Sequence, residues 1–181
     1  LGHASFRLKG KNAIAVLDPF DSEGVGFKFP RGIDADVVTI SHDHKDHNAK
    51  EAVDGSPYII SSPGEYEVKG ISIIGIGTYH DSVEGKQHGK NTMYRFVLDG
   101  IHVAHLGDLG HQLSVTDLDM LSGTDILMVS VSGKYLSNKE TIELIGKIEP
   151  KILIPMHYKQ AGHAPMYQSL PEVGVFLSEF G

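Results

Sequence analysis

Eight consecutive residues of this sequence carry most of its recognisable chemistry. Residues 41–48 read SHDHKDHN, with three imidazoles and two carboxylates directly after an apolar stretch. His42 and His44 are two residues apart, so in an extended segment or tight loop they point to the same side. Asp46 and His47 are adjacent and leave in another direction. One short loop can therefore supply ligands to two neighbouring metal ions, and the pattern predicts a metal site.

The remaining ligands must come from other parts of the chain, and rigid strand ends position ligands better than free loops do. Three apolar runs, residues 71–79, 101–107 and 151–156, each end at a residue that can bind a metal. In chain order, the predicted metal ligands are His42, His44, Asp46, His47, His80, Asp108 and His157.

These motifs, in this order, resemble the metallo-β-lactamase superfamily, in which H-x-H-x-D-H is followed by His, Asp and His on later strands. The chain looks most similar to a short branch that includes the L-ascorbate-6-phosphate lactonases and other metal-dependent hydrolases. The segments behind this closer likeness are GHASF at 2–6, LDPF at 17–20, KNT at 90–92, HLGDLGH at 105–111 and IPMHY at 154–158. The resemblance implies an α/β fold, a four-layer αββα sandwich forming a single domain over residues 1–181, with metals at one edge of its sheets.

Within this resemblance the ligands divide into two groups. One cation is expected to have three nitrogen ligands and an open position, as in catalytic zinc sites: His42, His44 and His80. The second cation is expected to be bound by Asp46, His47 and His157. Asp108 is expected to bridge the two ions, because its carboxylate has two oxygens and its charge lies where the cations repel each other. Asp46 and Asp108 are therefore predicted to be catalytic, in hydroxide attack on an ester, lactone, amide or phosphoester.

Other polar residues have secondary roles in this interpretation. Asp18 is expected to accept a hydrogen bond from the outer ring nitrogen of a metal-binding histidine, the alternative being a turn-forming aspartate before a proline. His3 is expected either at the site or packed in the core. His111 is a candidate for substrate contact or proton transfer. Tyr158 is predicted to be a catalytic donor to a developing oxyanion, or else to close the core under the site.

Four more histidines and one loop complete the candidates. His88, His102 and His163 are expected to be surface or strand residues, and His105 is expected at least as much inside a strand as near the metals. Residues 27–31, FKFPR, combine aromatic and basic side chains. A solvated loop is the preferred interpretation of this segment, and a lid over an anionic substrate is the alternative.

Composition agrees with a compact enzyme. The 181 residues are 40% apolar and 22% charged, which is sufficient for one domain with a substantial core. The absence of cysteine excludes disulfides and thiolate ligands, so an imidazole and carboxylate set suits two divalent ions, zinc first, with manganese or iron as alternatives. No apolar run approaches the roughly 20 residues that span a bilayer, and no signal segment opens the chain, so we expect a cytoplasmic protein without membrane contact.

The function predicted from these observations is a dinuclear metal-dependent hydrolase. Its substrate is expected to be a small metabolite, anionic in one version of the hypothesis, with a lactone, ester or phosphodiester bond. A nuclease or phosphodiesterase of the same superfamily is the alternative enzyme, but the net charge of −7 disfavours nucleic acid as a partner. A non-catalytic metal-binding scaffold is the alternative outside enzymes. The oligomeric state is left open.

Alternating and helical apolar patterns predict nine strands and three helices. The predicted strands cover residues 4–8, 13–17, 37–40, 58–61, 71–78, 92–98, 101–106, 126–131 and 152–154. The predicted helices cover residues 47–53, 114–121 and 138–148, the last with Asn138 as its cap.

Overall fold

The computed structural model describes all 181 residues, Leu1–Gly181, and contains ten β-strands and four α-helices. The strands are β1 (Phe6–Lys9), β2 (Ile14–Leu17), β3 (Val37–Thr39), β4 (Tyr58–Ile60), β5 (Gly64–Val68), β6 (Ile71–Tyr79), β7 (Lys90–Leu98), β8 (Ile101–His105), β9 (Ile126–Ser130) and β10 (Ile152–Met156). The α-helices are α1 (Ser22–Val25), α2 (Val115–Met120), α3 (Asn138–Ile148) and α4 (Val173–Phe180). Short 3₁₀ turns occupy Lys50–Ala52 and Pro165–Tyr167.

The strands form two sheets whose topology gathers strand ends at one edge. The first sheet has the order β1-β2-β3-β4, and the second has the order β10-β9-β8-β7-β6-β5. Strands β2 and β3 are parallel, as are β8, β9 and β10. Strand β6 runs in the same direction as β8 because both are antiparallel to β7. Polar residues that follow these strands therefore emerge together.

Alternation along the strands separates three apolar cores. In β6, Ile71 and Ile73 pack between the two sheets, while Ile74 and Ile76 face the helices α2, α3 and α4. A third core covers the outer face of the first sheet, where Val16 and other residues pack under α1, the 3₁₀ turns and adjacent loops. The four predicted αββα layers are present, although the helical layer on the first sheet is thin.

All nine predicted strands are present, with ends that differ by at most two residues. The additional strand β5 was not predicted because its sequence, GEYEV, is polar at alternate positions and lies at a sheet edge. The helices α1 and α4 were also not predicted. No helix of the structure has the length and apolar character that crossing a bilayer requires, and the longest, α3, has 11 residues.

The three predicted helices had different outcomes. The helices at 114–121 and 138–148 are confirmed as α2 and α3, each with a capping box, Ser114 with Asp117 and Ser137 with Glu140. Ser137 rather than Asn138 is therefore the cap of α3. The predicted helix at 47–53 is wrong: only the 3₁₀ turn Lys50–Ala52 forms. Its first amides are bound by other partners, since the amide of Ala49 donates to the carbonyl of Pro19 at 2.8 Å.

Candidate metal centre

Polar residues from four strand ends converge at the shared edge of the two sheets. The SHDHKDHN loop follows β3, His80 directly follows β6, and His157 directly follows β10. Asp108 lies three residues after the end of β8. Of the seven predicted ligands, only His44 is exposed, whereas the other six are buried. The structure therefore brings together the complete predicted set.

The first group forms as the sequence predicts. The candidate ligand atoms of His42, His44 and His80 all lie within 4.8 Å of one another. The ring centroid of His42 lies 4.6 Å from that of His44 and 4.6 Å from that of His80. His105 is not part of this group: its Nε2 donates to the carbonyl of Ala4 at 2.9 Å, and its Nδ1 accepts the amide of Gly107 at 3.2 Å. It is an internal strand histidine with both nitrogens engaged.

The second group lies beside the first, with Asp108 between them. Ligand atoms of Asp46, His47 and His157 lie within 4.8 Å of one another, and His3 belongs to the same cluster. Oδ2 of Asp108 is 3.2 Å from Nε2 of His80 and 3.3 Å from Nε2 of His157. A single carboxylate oxygen therefore contacts a histidine of each group.

The polar atoms at the centre lack the hydrogen-bond partners that buried groups normally have. The unpartnered buried atoms include Oδ1 of Asp108 and Nε2 of His42, His47, His80 and His157. Leaving such a group unsatisfied costs about 1–3 kcal/mol, and native structures rarely tolerate several together. Imidazole nitrogens and carboxylate oxygens are ligands for zinc and similar divalent ions. The residues present therefore fit divalent metal binding, with donors in two neighbouring groups.

The electrostatics of the two groups differ. Burial alone would lower the pKa of His47 and His157, but the Asp108 and Asp46 carboxylates raise these pKa values to about 9 and about 10. Burial would likewise raise the pKa of Asp108, but positively charged His157 and His47 lower it. The pKa of His42 is lowered to about 2, mainly by burial. Without metal, two protonated histidines thus balance the carboxylates of the second group.

This difference predicts a steeper pH dependence of metal affinity for the second site than for the first. A cation must displace the protons of His47 and His157, whose raised pKa values keep them protonated up to about 9 and about 10. Because two protons are displaced, we expect the affinity for the second ion to rise by up to about 100-fold per pH unit between about pH 6 and 8. Affinity for the first ion, bound by neutral His42, should rise far less. Competition with a chromophoric chelator measures both constants. Equal slopes for the two ions would contradict this assignment.

Asp18 orients two of the candidate ligands from the end of β2. Its carboxylate accepts hydrogen bonds from Nδ1 of His47 at 2.7 Å and from the amide of Ser41 at 2.8 Å. The Ser41 hydroxyl also donates to Asp18, so its oxygen accepts a hydrogen bond from Nδ1 of His42, 2.9 Å away. With both Nδ1 atoms acting as donors, the Nε2 atoms of both rings face the metal centre. The hydrogen bond predicted for Asp18 is thus present.

Asp18→Ala is expected to reduce metal affinity by about 10- to 100-fold, because the imidazoles of His42 and His47 lose their fixed orientation. Metal content after dialysis against a weak chelator provides the measurement. Asp34→Ala is the matched control, since the carboxylate of Asp34 is exposed and pairs with half-buried Arg7 at 2.8 Å. If both variants retained full metal content, Asp18 would be only a turn residue.

Asn91 holds the loop that carries Asp108, a role that the sequence did not reveal. Its side-chain amide donates to the Thr78 hydroxyl at 2.8 Å and to the Leu106 carbonyl at 3.0 Å. Its side-chain carbonyl accepts the amide of Asp108 at 3.1 Å. At Gly110, farther along the same loop, an added Cβ would lie 2.4 Å from the backbone of His80. Asp108 and His80 are therefore supported by directly packed backbone.

Asp81 organises the loop that follows His80. Its carboxylate accepts four backbone amides at 2.8–3.0 Å, from Val83, Gly85, Gln87 and His88. Burial would raise the pKa of Asp81, but these hydrogen bonds lower it to about 2. The loop places His88 next to the site, with its ring centroid 5.5 Å from that of His80. His88 is exposed, as predicted, but it also lines the cleft described below.

Two histidines remote in sequence meet at the second group. His3 is 3% exposed, and its Nε2 lies 3.1 Å from Oδ2 of Asp46, so it lies at the site rather than only in the core. Burial lowers its pKa to about 4, which keeps the ring neutral. His163, expected at the surface or in a strand, is 4% exposed in a loop and contacts His3. That expectation was wrong because the loop after β10 folds back over the amino terminus.

The expected substrate or proton-transfer role of His111 is contradicted by its hydrogen bonds. Its Nε2 accepts the amide of Tyr79 at 3.1 Å, and its Nδ1 donates to the carbonyl of Gln112 at 2.8 Å. Neither ring nitrogen is left for a substrate or a proton. His111 instead fixes the end of β6 immediately before His80.

Tyr158 does not take the expected position of an oxyanion donor. Its half-buried side chain packs against the core under the helices, which was the alternative interpretation. Two other tyrosines line the cleft. The ring centroid of Tyr135 lies 4.2 Å from that of His80, and the ring centroid of Tyr167 lies 5.0 Å from that of His3. Tyr135 lies in a loop and Tyr167 ends a 3₁₀ turn, neither within a local motif, so the sequence did not indicate them.

A cleft of about 390 Å³ opens at the candidate metal centre. Four candidate ligands line it, His44, Asp46, Asp108 and His157. The exposed lining residues at its rim are Lys45, His88, Lys134 and Ser169, and half-buried Tyr135 and buried Tyr167 also line it. Two lysines at the rim of a chain with net charge −7 concentrate positive charge where a substrate would enter.

Residues 27–31 form neither a lid nor a fully solvated loop. Phe29 is buried in the core on the first sheet, and Phe27 stacks on His163 with ring centroids 5.2 Å apart. Lys28 and Arg31 are exposed. The aromatic half of the segment is thus core, and only the basic half is solvated.

Comparison with known proteins agrees with this architecture. Residues 1–157 match the family described as the beta-lactamase superfamily domain. A UPF0173 metal-dependent hydrolase from Thermoplasma acidophilum is 30% identical over 183 residues, covering 87% of this chain and 80% of that protein. Another from Thermococcus onnurineus is 28% identical over 185 residues, covering 87% and 82%.

A solved structure shows the same arrangement of sheets. A candidate Zn-dependent hydrolase of the metallo-β-lactamase superfamily from Thermotoga maritima is 37% identical, with a TM-score of 0.80, and the match covers 99% of this chain and 82% of that one. The family match spans most of the chain and includes every strand that carries a candidate ligand. On these grounds the chain belongs to the metallo-β-lactamase superfamily.

Proposed function

We propose that this protein is a metal-dependent hydrolase that uses two divalent cations to cleave a small, anionic metabolite. The observation that carries the proposal is the set of buried, unpartnered Nε2 atoms on both sides of Asp108, contributed by His42, His47, His80 and His157. The Nε2 atoms of His80 and His157 lie near Oδ2 of Asp108, but none of the four atoms makes a hydrogen bond of good geometry. The Nδ1 atoms of His42 and His47, in contrast, are hydrogen-bonded within the fold. The names of the UPF0173 relatives support the same class of activity.

The donor set favours zinc, with manganese or iron as alternatives, since all candidate ligands are imidazoles or carboxylates. When bound, a pair of such cations lowers the pKa of water to about 7 and polarises the oxygen under attack. The chain itself then has to position substrate and hold charge, and no protein nucleophile is needed. Asp108 supplies negative charge between the two groups, and Asp18 with Ser41 keeps two imidazoles oriented.

The cleft supports a small substrate. Its volume of about 390 Å³ lies in the range of small-molecule sites. Lys45 and Lys134 at the rim suit an anionic group, while the protonated phenol of Tyr167 is available as a hydrogen-bond donor. A lactone, ester or phosphodiester bond fits this chemistry, and the likeness to L-ascorbate-6-phosphate lactonases favours the lactone.

The two alternatives that the sequence left open, a nuclease and a metal-binding scaffold, have less support. A nuclease would need a broad basic surface, but the net charge is −7, with 23 acidic residues against 16 basic ones. A metal-binding scaffold would not need a cleft beside the ligands, yet Asp46, Asp108 and His157 line one. We therefore retain the small-molecule hydrolase.

A screen of chromogenic lactones, esters and phosphodiesters tests the proposal. We expect turnover of at least one class, its loss after chelator treatment, and its recovery on adding zinc or manganese. His80→Ala should lack activity, whereas the control His102→Ala, a half-buried strand histidine that contacts Arg95, should retain it. Turnover that persists in the chelated protein, or equally in His80→Ala, would contradict metal-dependent hydrolysis.

A further inference from the structure

A chain of hydrogen bonds leads from a distant loop to one of the candidate ligands. The amide of Gln160 donates to Nδ1 of His163 at 3.1 Å. Nε2 of His163 lies 3.2 Å from Nδ1 of His3, and Nε2 of His3 lies 3.1 Å from Oδ2 of Asp46. One line of hydrogen bonds thus connects Gln160, His163, His3 and Asp46, although these residues are up to 160 positions apart in sequence.

The direction of every hydrogen bond in this line is determined from both ends. A backbone amide can only donate, so Nδ1 of His163 is an acceptor and its Nε2 carries the proton. At the other end, the Asp46 carboxylate can only accept, so Nε2 of His3 carries a proton and its Nδ1 accepts. The two requirements agree at the central contact, where His163 donates to His3. Both rings are therefore neutral and protonated on Nε2.

His3 differs from the candidate ligands in this respect. The Nε2 atoms of His47 and His157 are buried without hydrogen-bond partners. Both ring nitrogens of His3 are engaged, one with Asp46 and one with His163. His3 belongs to the same cluster of possible metal-binding residues. Its two ring nitrogens, however, are already hydrogen-bonded, and one of them contacts the candidate ligand Asp46. This distinguishes an orienting histidine from a binding one.

The backbone around His3 is held at both sides. Its amide donates to Oε1 of Gln160 at 2.8 Å, and its carbonyl accepts the amide of His157 at 3.3 Å. His3 has a φ of 54°, in the left-handed region that non-glycine residues seldom adopt. Such strain persists only where surrounding contacts over-determine the conformation, and it is concentrated at functional sites. Gln160 contacts both histidines of the line and fixes their relative position.

Aromatic side chains shield the two histidines from water. Phe27 stacks on His163, and the ring centroid of Tyr167 lies 5.3 Å from that of His163. The loop with His163 approaches α1 so closely that a Cβ at Gly26 would lie 2.2 Å from the amide of Ala164. Gly26 also has a φ of 101°, which favours glycine. The packing thus keeps the donor path to Asp46 dry and rigid.

We propose that His163 and His3 are positioning residues that hold the Asp46 carboxylate toward the second metal site. The inference rests on the proposed function, because Asp46 acts here as a ligand. The effect should be confined to the second metal site. Oδ2 of Asp46 lies 3.5 Å from Nε2 of His47 and 3.4 Å from Nε2 of His157, so the line supports only the second group. The first group, with His42, has no contact with it.

The tautomers provide a direct test in the zinc-loaded protein. Long-range ¹H–¹⁵N NMR of the histidine-labelled chain distinguishes Nε2–H, Nδ1–H and metal-bound rings. We expect His3 and His163 both to be neutral Nε2–H tautomers, assigned by the signals lost in His3→Gln and His163→Gln. An Nδ1–H tautomer of His163, or a metal-bound nitrogen in His3, would overturn the proposal. This measurement does not depend on whether any variant is active.

Metal affinity tests the consequence. His163→Leu removes the donor to His3 and should weaken binding of the second zinc ion by about 10- to 100-fold, leaving the first within about threefold. His163→Gln places an amide donor near the same point and should restore most of the loss. His102→Leu, the same change at a half-buried strand histidine that contacts Arg95, should leave both affinities within about threefold. The absorption spectrum of the cobalt-substituted protein should change in His163→Leu only for the second ion.

These outcomes distinguish a failure of positioning by His163 from a failure of the proposed dinuclear function. If the unaltered protein bound fewer than two ions, the proposed dinuclear function would fail, while the tautomers would still report on the hydrogen-bonded line. If it bound two ions and His163→Leu bound them equally well, positioning by His163 would be refuted. Equal weakening of both ions, without rescue by His163→Gln, would indicate a general structural role and would also refute it. Should His163→Leu not fold, the NMR tautomers decide.

Discussion

Asp108→Asn is expected to remove at least one bound metal ion and to lower turnover by more than about 10³-fold. Oδ2 of Asp108 lies 3.2 Å from Nε2 of His80 and 3.3 Å from Nε2 of His157, between the two groups. An amide of the same shape keeps the packing but removes the negative charge where two cations would repel each other most. Elemental analysis and turnover of the best substrate from the screen are the two measurements.

Asp119→Asn is the matched control for this loss. Asp119 is an exposed residue of α2, so the same change of charge there should leave metal content and turnover unaffected. The thermal stability of metal-free Asp108→Asn distinguishes a folding defect from a metal defect. If Asp108→Asn kept both ions and full turnover, the bridging role proposed for Asp108 would be wrong.

Tyr167→Phe is expected to lower turnover by about 10² to 10³-fold without changing metal content. Tyr167 is 9% exposed, lines the cleft, and packs against the rings of both His3 and His163. Burial and the nearby Asp46 carboxylate raise the pKa of its phenol, so it stays protonated and can donate a hydrogen bond. Loss of one donor to a developing oxyanion has an effect of this size. Rates at saturating substrate, with elemental analysis, provide the test.

Tyr158→Phe is the control in this case, because Tyr158 packs against the core under the helices. Its turnover should stay within about twofold of that of the unaltered protein. A large loss in Tyr158→Phe together with a small one in Tyr167→Phe would reverse the assignment and return the donor role to the residue that follows His157.

The seven candidate ligands could be predicted because each depends on a short-range pattern. Residue spacing separates His42 and His44 from Asp46 and His47, and apolar strands end at His80, Asp108 and His157. Parallel strand directions then bring those ends to the same edge. The four layers were likewise expected from a resemblance that depends on the same motifs.

The residues around the ligands could not be predicted, because long-range packing places them. His163 reaches His3 only because its loop folds over the amino terminus, and Tyr167 follows in the same loop. His111 shows the opposite error: its position near Asp108 in sequence indicated a site residue, but backbone groups of Tyr79 and Gln112 occupy its ring. Proximity in sequence indicated a candidate without indicating where its side chain points.

The backbone conformation at the site could not be predicted from the sequence either. His3, Asp18 and His157 have φ values of 54°, 43° and 58°, where glycine would ordinarily be expected. Each of these residues turns sharply at a strand end or before a strand, which directs its side chain into the centre. Such strain is maintained by the hydrogen bonds around it, and those bonds exist only in the folded chain.

Zinc titration of the metal-free protein tests the dinuclear centre most directly. Turnover and bound zinc are followed together as equivalents are added, at a pH where His47 and His157 can release their protons. We expect two bound ions per chain, with turnover rising to its maximum only as the second is bound. Full turnover after a single equivalent, with no second ion bound in excess zinc, would contradict the dinuclear centre.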